Sequence, residues 1–571
     1  MSYDFDAVIV GSGAGGGTVA HQLCQAGYKV ALLEKGRLIQ RGEFSKDELA
    51  YCRRDVVTPR LFDEYHIIEE KVDGEWRETP TYESNWSFWN GNIVGGSSNL
   101  MSGMFHRMHP DDFRLLSRYG PIKGANIVDW PITYGEMEPY YALAERLIGI
   151  SGKVQRHPFE PPRSTPDFPQ PPTKENEVVK LFDGSCQALG IVPLVTPRAV
   201  LSQNQGDRNA CYYSNFCGSY GCSSGAKSSS REALIRPALA TGNLTLVSNA
   251  QVTRLTADGE RVKSAEIVDT ITGRKRYITA RIFVVAAQAH ESVRLLLNSA
   301  NKAHPGGLGN SSGELGKNLI FSAGGSGQGV LKRQNLKGIS FSDLMQRGLF
   351  VNRSVLDWYM LEKKKGDRHE KIEMKGGLVE FMFEHQNNIS RAAKSRYSGE
   401  KLLWGKALGE KMKKSFTEGK NIRFEIFNDW LPTDDCHVSV SDTQKDRFGM
   451  PVGKLRIHAH SHDLEIASTI ADSCEAILRK MGAEDVYSAV SPIPPQNLIA
   501  GGCRFGSDPK RSVLNKYCQS HDLPNLFVAD ASFMPTGGSV PYTWTIYANA
   551  LRISEYMAGE LKKSPQPFSK L

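Results

Sequence analysis

Glycines and one acid near the N-terminus have the spacing of a dinucleotide site. Gly11, Gly13 and Gly16 follow an apolar, strand-like stretch, and Glu34 comes directly after a second one. Gly11 permits a tight turn, Gly13 lets the backbone approach a pyrophosphate, and Gly16 allows the next helix to pack closely. A carboxylate at Glu34 can accept hydrogen bonds from ribose hydroxyls, which favours NAD or FAD over NADP.

A second acid stands in a similar setting near the other end of the chain. Residues 525–529 form an apolar stretch that leads into Asp530, Ala531 and a turn rich in glycine and proline. A helix-like run from Thr545 to Tyr556 follows. The pattern predicts a strand, an acid and a helix, so the two ends of the chain are expected to form one cofactor site.

Three of the ten cysteines lie close together on a glycine-bearing segment at about 205–228. They are Cys211, Cys217 and Cys222. Three thiolates can converge on one inorganic core, and three sulfurs suit a [3Fe-4S] cluster better than a site that needs four. A zinc site lacking its fourth ligand, a disulfide plus one thiol, and three buried thiols stay open as alternatives.

Length and composition indicate a large enzyme of more than one domain. The chain has 571 residues, of which 40% are hydrophobic, and a net charge of +8. Its cations alternate with acids, as on solvated helix faces, so no nucleic-acid partner is expected. The first strand begins within a few residues and no apolar run could span a bilayer, which predicts a cytoplasmic protein without a signal or a membrane segment of its own.

The elements around these residues alternate between two patterns. The βαβ unit at the N-terminus and the segments at 243–299 are typical of a nucleotide-binding fold. Strand patterns at 376–384 and 421–430 lie in a region of different, aromatic and charged character. We expect an α/β chain, α+β overall, with an FAD-binding Rossmann-like domain and an inserted antiparallel-sheet domain for substrate.

Five segments together resemble the glucose-methanol-choline (GMC) oxidoreductase family. They are VIVGSGAGGG at the N-terminus, NIVGGSSN at 92–99, NLTLVSNAQVTRL at 243–255, IFVVAAQAHESVRLLLNS at 282–299 and the C-terminal segment from CRFGSDPKRS to FMPTGG. Within that family the chain is similar to the flavoprotein subunits of gluconate, fructose and glucose dehydrogenases and to glucoside 3-dehydrogenases.

The resemblance implies FAD and a division of the chain. An FAD domain is expected at 1–320, a substrate domain mainly at 321–465, and a return to the FAD domain with the active-site segment at 466–571. The expected FAD-binding residues are Gly11, Gly13, Ala14, Gly16, Glu34, Gly95, Gly96, Ser97, Ser98, Val252, Asp530, Ala531, Tyr542 and Thr543.

The catalytic positions are where the chain departs from the family. The family's basic histidine corresponds to Leu498 and its His or Asn partner to Pro541, neither of which can accept a proton. The substitutes predicted here are Asn497, Tyr542 and His106. An amide is a poor base and an ordinary phenol has a pKa near 10, so a family member with other or lost chemistry is the alternative.

By resemblance, the expected substrate is a hydroxyl compound, a sugar, glycoside or other polyol. Hydride passes to flavin N5, and electrons leave through the cysteine-bound cluster to an external acceptor. Relatives of this type work with a small subunit and a cytochrome. Export to the periplasm on the small subunit's signal is therefore the alternative to a cytoplasmic location.

Overall fold

The computed structural model describes residues 3–45, 47–48, 57–84, 86, 90–322, 324–345, 351–364, 371–383, 388–399, 401–494 and 498–563. Its α-helices are α1 (Ala14–Gln25), α2 (Leu115–Tyr119), α3 (Tyr134–Ile148), α4 (Val178–Gln187), α5 (Arg236–Ala240), α6 (Ala289–Asn298), α7 (Phe341–Met345), α8 (Asn388–Ser395), α9 (Gly405–Thr417), α10 (Ser461–Lys480) and α11 (Thr543–Lys563).

The described residues also form β-strands. They are β1 (Phe5–Val10), β2 (Val30–Leu33), β3 (Ile67–Val72), β4 (Glu75–Pro80), β5 (Pro193–Val195), β6 (Leu244–Val247), β7 (Ala250–Ala257), β8 (Val262–Asp269), β9 (Lys275–Val285), β10 (Leu319–Phe321), β11 (Gly325–Lys332), β12 (Val351–Val355), β13 (Met360–Lys364), β14 (Lys371–Lys375), β15 (Gly377–Phe383), β16 (Tyr397–Ser398), β17 (Lys401–Leu402), β18 (Gly419–Asn428), β19 (His437–Lys445), β20 (Pro451–Ile457), β21 (Glu484–Val490), β22 (Ile499–Gly501) and β23 (Leu526–Val528).

A seven-stranded sheet forms the nucleotide-binding part of the fold. Its strand order is β6-β2-β1-β9-β8-β7, and β23 pairs with β9. The strands β6, β2, β1, β9 and β23 are parallel, whereas β8 and β7 continue the sheet in antiparallel fashion. The central parallel strands β1 and β2 are mostly apolar because both faces of the sheet are covered there, and Ala7, Val8 and Ile9 have no exposed surface.

Strand β9 joins the two ends of the chain. It pairs with β1 on one side and with β23 on the other. The segments that follow β1, β2 and β23 therefore emerge at the same edge of the sheet, at the carboxyl ends of parallel strands, where ligands of such folds bind. The glycine turn, Glu34 and Asp530 meet there, as the sequence predicts.

A six-stranded antiparallel sheet forms the second layer, in the order β21-β11-β18-β15-β12-β5. One face of its central strand β18 carries Ile422, Phe424 and Ile426, which belong to one apolar cluster with Ile466 and Ile470 of α10. The predicted antiparallel sheet is present. It also takes in β5 and β21, which lie outside the range 321–465, and the domain boundaries themselves stay a prediction.

Smaller sheets complete the fold. The largest has the order β19-β20-β3-β4, and β10 pairs with β22 in a two-stranded antiparallel sheet. Within the part of the chain that the structure describes, no helix has the length and apolar character needed to cross a bilayer.

Candidate active site

One cavity of about 580 Å³ lies between the nucleotide-binding sheet and the antiparallel sheet. This volume falls within the usual range of small-molecule sites, roughly 300–1,000 Å³. Most of the predicted FAD-binding residues line it: Gly11, Gly13, Ala14, Glu34, Gly96, Ser97, Ser98, Val252, Asp530, Ala531, Tyr542 and Thr543. Gly16 and Gly95 lie behind this lining.

The glycine turn leaves an open cradle beside α1. A Cβ at Gly13 would meet no atom within 4 Å, whereas a Cβ at Gly16 would lie 1.9 Å from the Gly11 carbonyl oxygen. Gly11 itself has a φ of +95°, which side-chain-bearing residues rarely adopt. Gly16 thus serves helix packing, and Gly13 leaves room for a pyrophosphate at the start of α1.

A second glycine turn abuts the first. A Cβ at Gly96 would lie 3.1 Å from Gly13 Cα. The Gly95 amide donates to Ser12 Oγ at 2.8 Å, and Ser98 Oγ donates to the Gly95 carbonyl at 2.6 Å. These contacts hold the backbone of the two turns together, so both can approach one ligand.

Two buried carboxylates hold the loops at this end of the cavity. Glu34 accepts from Ser12 Oγ at 2.5 Å, from the Ser12 amide at 3.1 Å and from the Gly36 amide at 2.8 Å. Asp530 accepts from the amide and hydroxyl of Ser532 at 2.9 and 2.5 Å, and from Ser292 Oγ. Burial raises the pKa of both carboxyl groups, while these hydrogen bonds lower it.

A polar network lies beside the same end. In the described part of the chain, His66, His290 and Glu291 are the one group of potential metal ligands whose ligand atoms lie within 4.8 Å of one another. Glu291 accepts from His66 Nε2 at 3.0 Å and from Arg294 at 3.3 Å. Burial, and next the nearby His66, lower the pKa of His290 to about 3, so this ring is neutral. The guanidinium of Arg294 already neutralises Glu291.

Tyr542 and Thr543 line the cavity where α11 begins. The Tyr542 hydroxyl is buried and has no hydrogen-bond partner in the described part of the molecule. Burial raises the pKa of Tyr542 well above its ordinary value, so the phenol stays protonated at neutral pH. It can donate a hydrogen bond to a ligand, but it is a poor base. An orphaned hydroxyl and the open cradle at Gly13 both fit a bound cofactor.

The two positions to which the resemblance assigns the family's catalytic groups also line the cavity. Leu498 and Pro541 are both lining residues, and neither side chain can take up a proton. Asn497, which the sequence offers as a substitute, lies outside the described residues. The role of Tyr542 as a catalytic group stays a prediction.

His106 faces a different space. It lines a separate cavity of about 20 Å³, together with Phe159, Glu160 and Trp544. Its Nε2 lies 2.5 Å from Glu380 Oε1, and Thr196 Oγ1 donates to the other oxygen of Glu380 at 2.8 Å. The structure therefore does not bring His106 into the large cavity. Its catalytic role stays a prediction that no contact with that cavity supports.

The far wall of the large cavity comes from β18 and was not predicted from the sequence. Arg423, Glu425 and Phe427 line the cavity. They alternate with the apolar residues that pack on α10, so they occupy the opposite face of the strand. The sequence signal that could have indicated this wall is the alternation of polar and apolar residues in NIRFEIFN.

The cysteine loop reaches the cavity from a third side. Gly218 and Ser219 line it, and Cys217 packs with Met104, another lining residue, against Met382. Cys211, Cys217 and Cys222 are partly buried thiols and form no disulfide. Burial and then the neighbouring Cys217 raise the pKa of Cys211 to about 12. The three sulfurs do not have the spacing of ligands to a single metal ion.

Comparisons with known proteins agree with this architecture. Family models for GMC oxidoreductases match residues 167–321 and 432–550. The chain is 30% identical to 2-methyl-1,2-propanediol dehydrogenase of Mycolicibacterium austroafricanum, over 97% of this chain and 95% of that protein. It is 28% identical to paromamine 6'-oxidase of Streptomyces fradiae, with 98% and 92% coverage.

Two further similarities bear on subunit organisation and fold. The chain is 26% identical to the fructose dehydrogenase large subunit of Gluconobacter japonicus, with 98% coverage of both proteins. The formate oxidase of Aspergillus oryzae has the same fold, with a TM-score of 0.65, 15% identity, and 99% and 100% coverage. The chain thus belongs to the GMC oxidoreductase family. It is an FAD-dependent oxidoreductase that acts on CH–OH groups.

Proposed function

We propose that this protein is a dehydrogenase for a hydroxyl group of a sugar, glycoside or other polyol, and that an external acceptor takes up the electrons. The observation that carries the proposal is that a dinucleotide cradle and the charged side chains of Arg423 and Glu425 line the same large cavity. A polyol can use such a wall, because its hydroxyls both donate and accept hydrogen bonds. Relatives named for the oxidation of paromamine, fructose and 2-methyl-1,2-propanediol support this substrate class.

We further propose a [3Fe-4S] cluster on Cys211, Cys217 and Cys222, and a partner chain that accepts electrons. Three thiols close together repel one another as thiolates, and an iron cluster offsets that repulsion. The packing of both Cys217 and the cavity-lining Met104 against Met382 supports a short route from the cavity. One relative is named as a large subunit, which supports a small subunit or a cytochrome as partner.

The first experiment is an anaerobic titration of the purified protein with sugars, glycosides and simple alcohols, followed by visible absorption. Bleaching of the flavin bands with one class identifies the substrate. Reoxidation is then compared between oxygen and an artificial acceptor. Fast reoxidation by oxygen alone would contradict a dehydrogenase.

Cysteine variants test the cluster separately. We expect Cys217→Ser to lose iron and acid-labile sulfide but to retain FAD. Cys186→Ser, which changes a buried cysteine of α4, is the matched control. Equal, negligible iron in wild type and both variants would contradict the cluster.

A family member with other flavin chemistry is the second candidate. The observation that favours it is that the cavity lining holds Leu498 and Pro541 where the resemblance leads us to expect the family's proton-accepting residues. Flavin that stays oxidised with every hydroxyl compound is the result expected for this candidate.

A further inference from the structure

The cavity contains no imidazole among its described lining residues, so the proton acceptor has to be sought among its carboxylates. These are Glu34, Glu291, Glu425 and Asp530. Glu34 and Asp530 each accept hydrogen bonds from neighbouring amides and hydroxyls, and Glu291 is paired with His66 and Arg294. All three serve the dinucleotide end of the cavity.

Glu425 differs from the other three. Among the residues that the structure describes, no side chain or amide donates a hydrogen bond to its carboxylate, and no cation lies within ion-pair distance of it; Arg423 acts on it only electrostatically. It stands on the central strand β18, two residues from Phe427, and lines the same cavity as Tyr542 and Leu498. A carboxylate with open lone pairs in a ligand cavity is available to a ligand hydroxyl.

Neighbouring strands place Glu425 in a row of polar residues. Its cross-strand partners are Ser326 on β11 and Glu380 on β15. Directly paired residues of antiparallel strands share a face, so the two glutamates are neighbours on the sheet. Glu380 is fully buried and is held by His106 and Thr196. The strands therefore fix the position of Glu425 from both sides.

We propose that Glu425 is the base that accepts the hydroxyl proton of the substrate, in place of the histidine that Leu498 replaces. This proposal rests on the proposed oxidation of a hydroxyl group. The reaction breaks the O–H and C–H bonds of the carbinol and forms a C=O bond. The carbon-bound hydrogen leaves with two electrons, which reduce the bound FAD, and the hydroxyl proton goes to Glu425.

The charges around Glu425 suit a base. Burial raises the pKa of Glu425, Arg423 on the same strand lowers it, and Glu380 on β15 raises it further. Ser326 on β11 is neutral, and Tyr542, which lines the same cavity, stays protonated. A carboxyl with a raised pKa accepts a proton more readily than an ordinary one. It is active as the carboxylate, so activity should rise with pH through its pKa and be lost below it.

The test compares Glu425→Gln with wild type and with Glu484→Gln, which removes a carboxylate from strand β21 of the same sheet, outside the cavity lining. FAD content and circular dichroism establish that each holoenzyme folds. We expect the rate of anaerobic flavin bleaching in Glu425→Gln to fall by about 10²–10⁴-fold, the usual contribution of general base catalysis. Glu484→Gln should behave as wild type.

Infrared difference spectra of the holoenzymes between acidic and neutral pH give a readout independent of turnover. A protonated carboxyl band that titrates in wild type and in Glu484→Gln should be absent from Glu425→Gln. If Glu425→Gln does not fold, Glu425→Asp, which keeps the charge on a shorter side chain, takes its place. Its bleaching rate should then fall without loss of the titrating band.

The outcomes separate the two proposals. Wild-type flavin that no hydroxyl compound bleaches overturns the proposed function, and the assignment of Glu425 falls with it. Wild-type flavin that is bleached, with an unchanged rate and pH profile in Glu425→Gln, overturns the assignment of Glu425 alone.

Discussion

The two ends of the cavity are built in different ways. At the dinucleotide end, the contacts are made by backbone and by short polar side chains, and several glycines have no room for a Cβ. At the other end, the wall consists of long side chains, Arg423 and Glu425, on a sheet whose opposite face is apolar. The first end tolerates little change, whereas the second can change its chemistry without disturbing the fold. This difference explains how a family can keep its cofactor and vary its substrate.

The largest effect is expected at Gly15, which lies in the first turn of α1. A Cβ there would lie 1.9 Å from the Ala529 carbonyl oxygen at the end of β23. Both elements are fixed by the central sheet, so Gly15→Ala should cost at least about 1–3 kcal/mol of folding stability. We expect little soluble, FAD-loaded protein, measured as yield and flavin-to-protein ratio.

Gly184→Ala is the matched control for that change. Gly184 also lies within a helix, α4, but a Cβ there would meet nothing within 4 Å. This substitution should leave yield unchanged or stabilise the protein by about 0.5–1 kcal/mol. Equal yields of the two alanine variants would contradict the close contact between α1 and the end of β23.

The sequence predicts the dinucleotide end well because each residue type there is required by backbone geometry. Gly11, Gly13 and Glu34 are each required by one feature of a dinucleotide site, so their spacing along the chain is enough to predict where they lie. The wall of β18 is different. The alternation in NIRFEIFN predicts a strand with two unlike faces, but only the packing of α10 on Phe424 and Ile426 decides which face meets the cavity.

Two other features depend on tertiary structure in the same way. The side chain of His106 is turned towards Glu380, a residue that is distant in the sequence and approaches only when β15 pairs with β18. The left-handed backbone at Gln288 cannot be inferred from a residue type that ordinarily avoids it.

The second prediction concerns Gly13, which has the opposite surroundings to Gly15. Its φ of −63° suits any residue and a Cβ would point into open space. Gly13→Ala should therefore fold like wild type but place a methyl group where the pyrophosphate approaches. We expect FAD affinity to fall roughly 10–100-fold, the equivalent of about 1–3 kcal/mol of steric conflict.

Titration of the apoprotein with FAD measures that affinity, and the unfolding midpoint without FAD measures the fold. Loss of affinity with an unchanged midpoint would show that Gly13 leaves room for the cofactor and is not needed for packing. A lowered midpoint in the apoprotein would mean that Gly13 serves packing, as Gly16 does.

The third prediction concerns the wall of Arg423 and Glu425 and the pH dependence of the flavin-bleaching rate. Arg423 lowers the pKa of Glu425, and Glu380 raises it. Arg423→Met should therefore move the acidic limb of the bleaching rate to higher pH, whereas Glu380→Gln should move it to lower pH. FAD content should change in neither variant. Shifts in the same direction, or none, would contradict the arrangement of charges on this wall.

The smallest effect is expected at Gln288, between β9 and α6. It has φ +84° and ψ +147°, a conformation costing about 1–3 kcal/mol for a residue with a side chain. Its amide hydrogen-bonds Asp530, and the residue lines the cavity. Gln288→Gly relieves the strain but increases the flexibility of the unfolded chain, which offsets about 0.5–1 kcal/mol. The unfolding midpoint of the apoprotein, measured by thermal denaturation, should therefore rise slightly. A midpoint lower than that of wild type would mean that Gln288 is held there by packing rather than for the ligand.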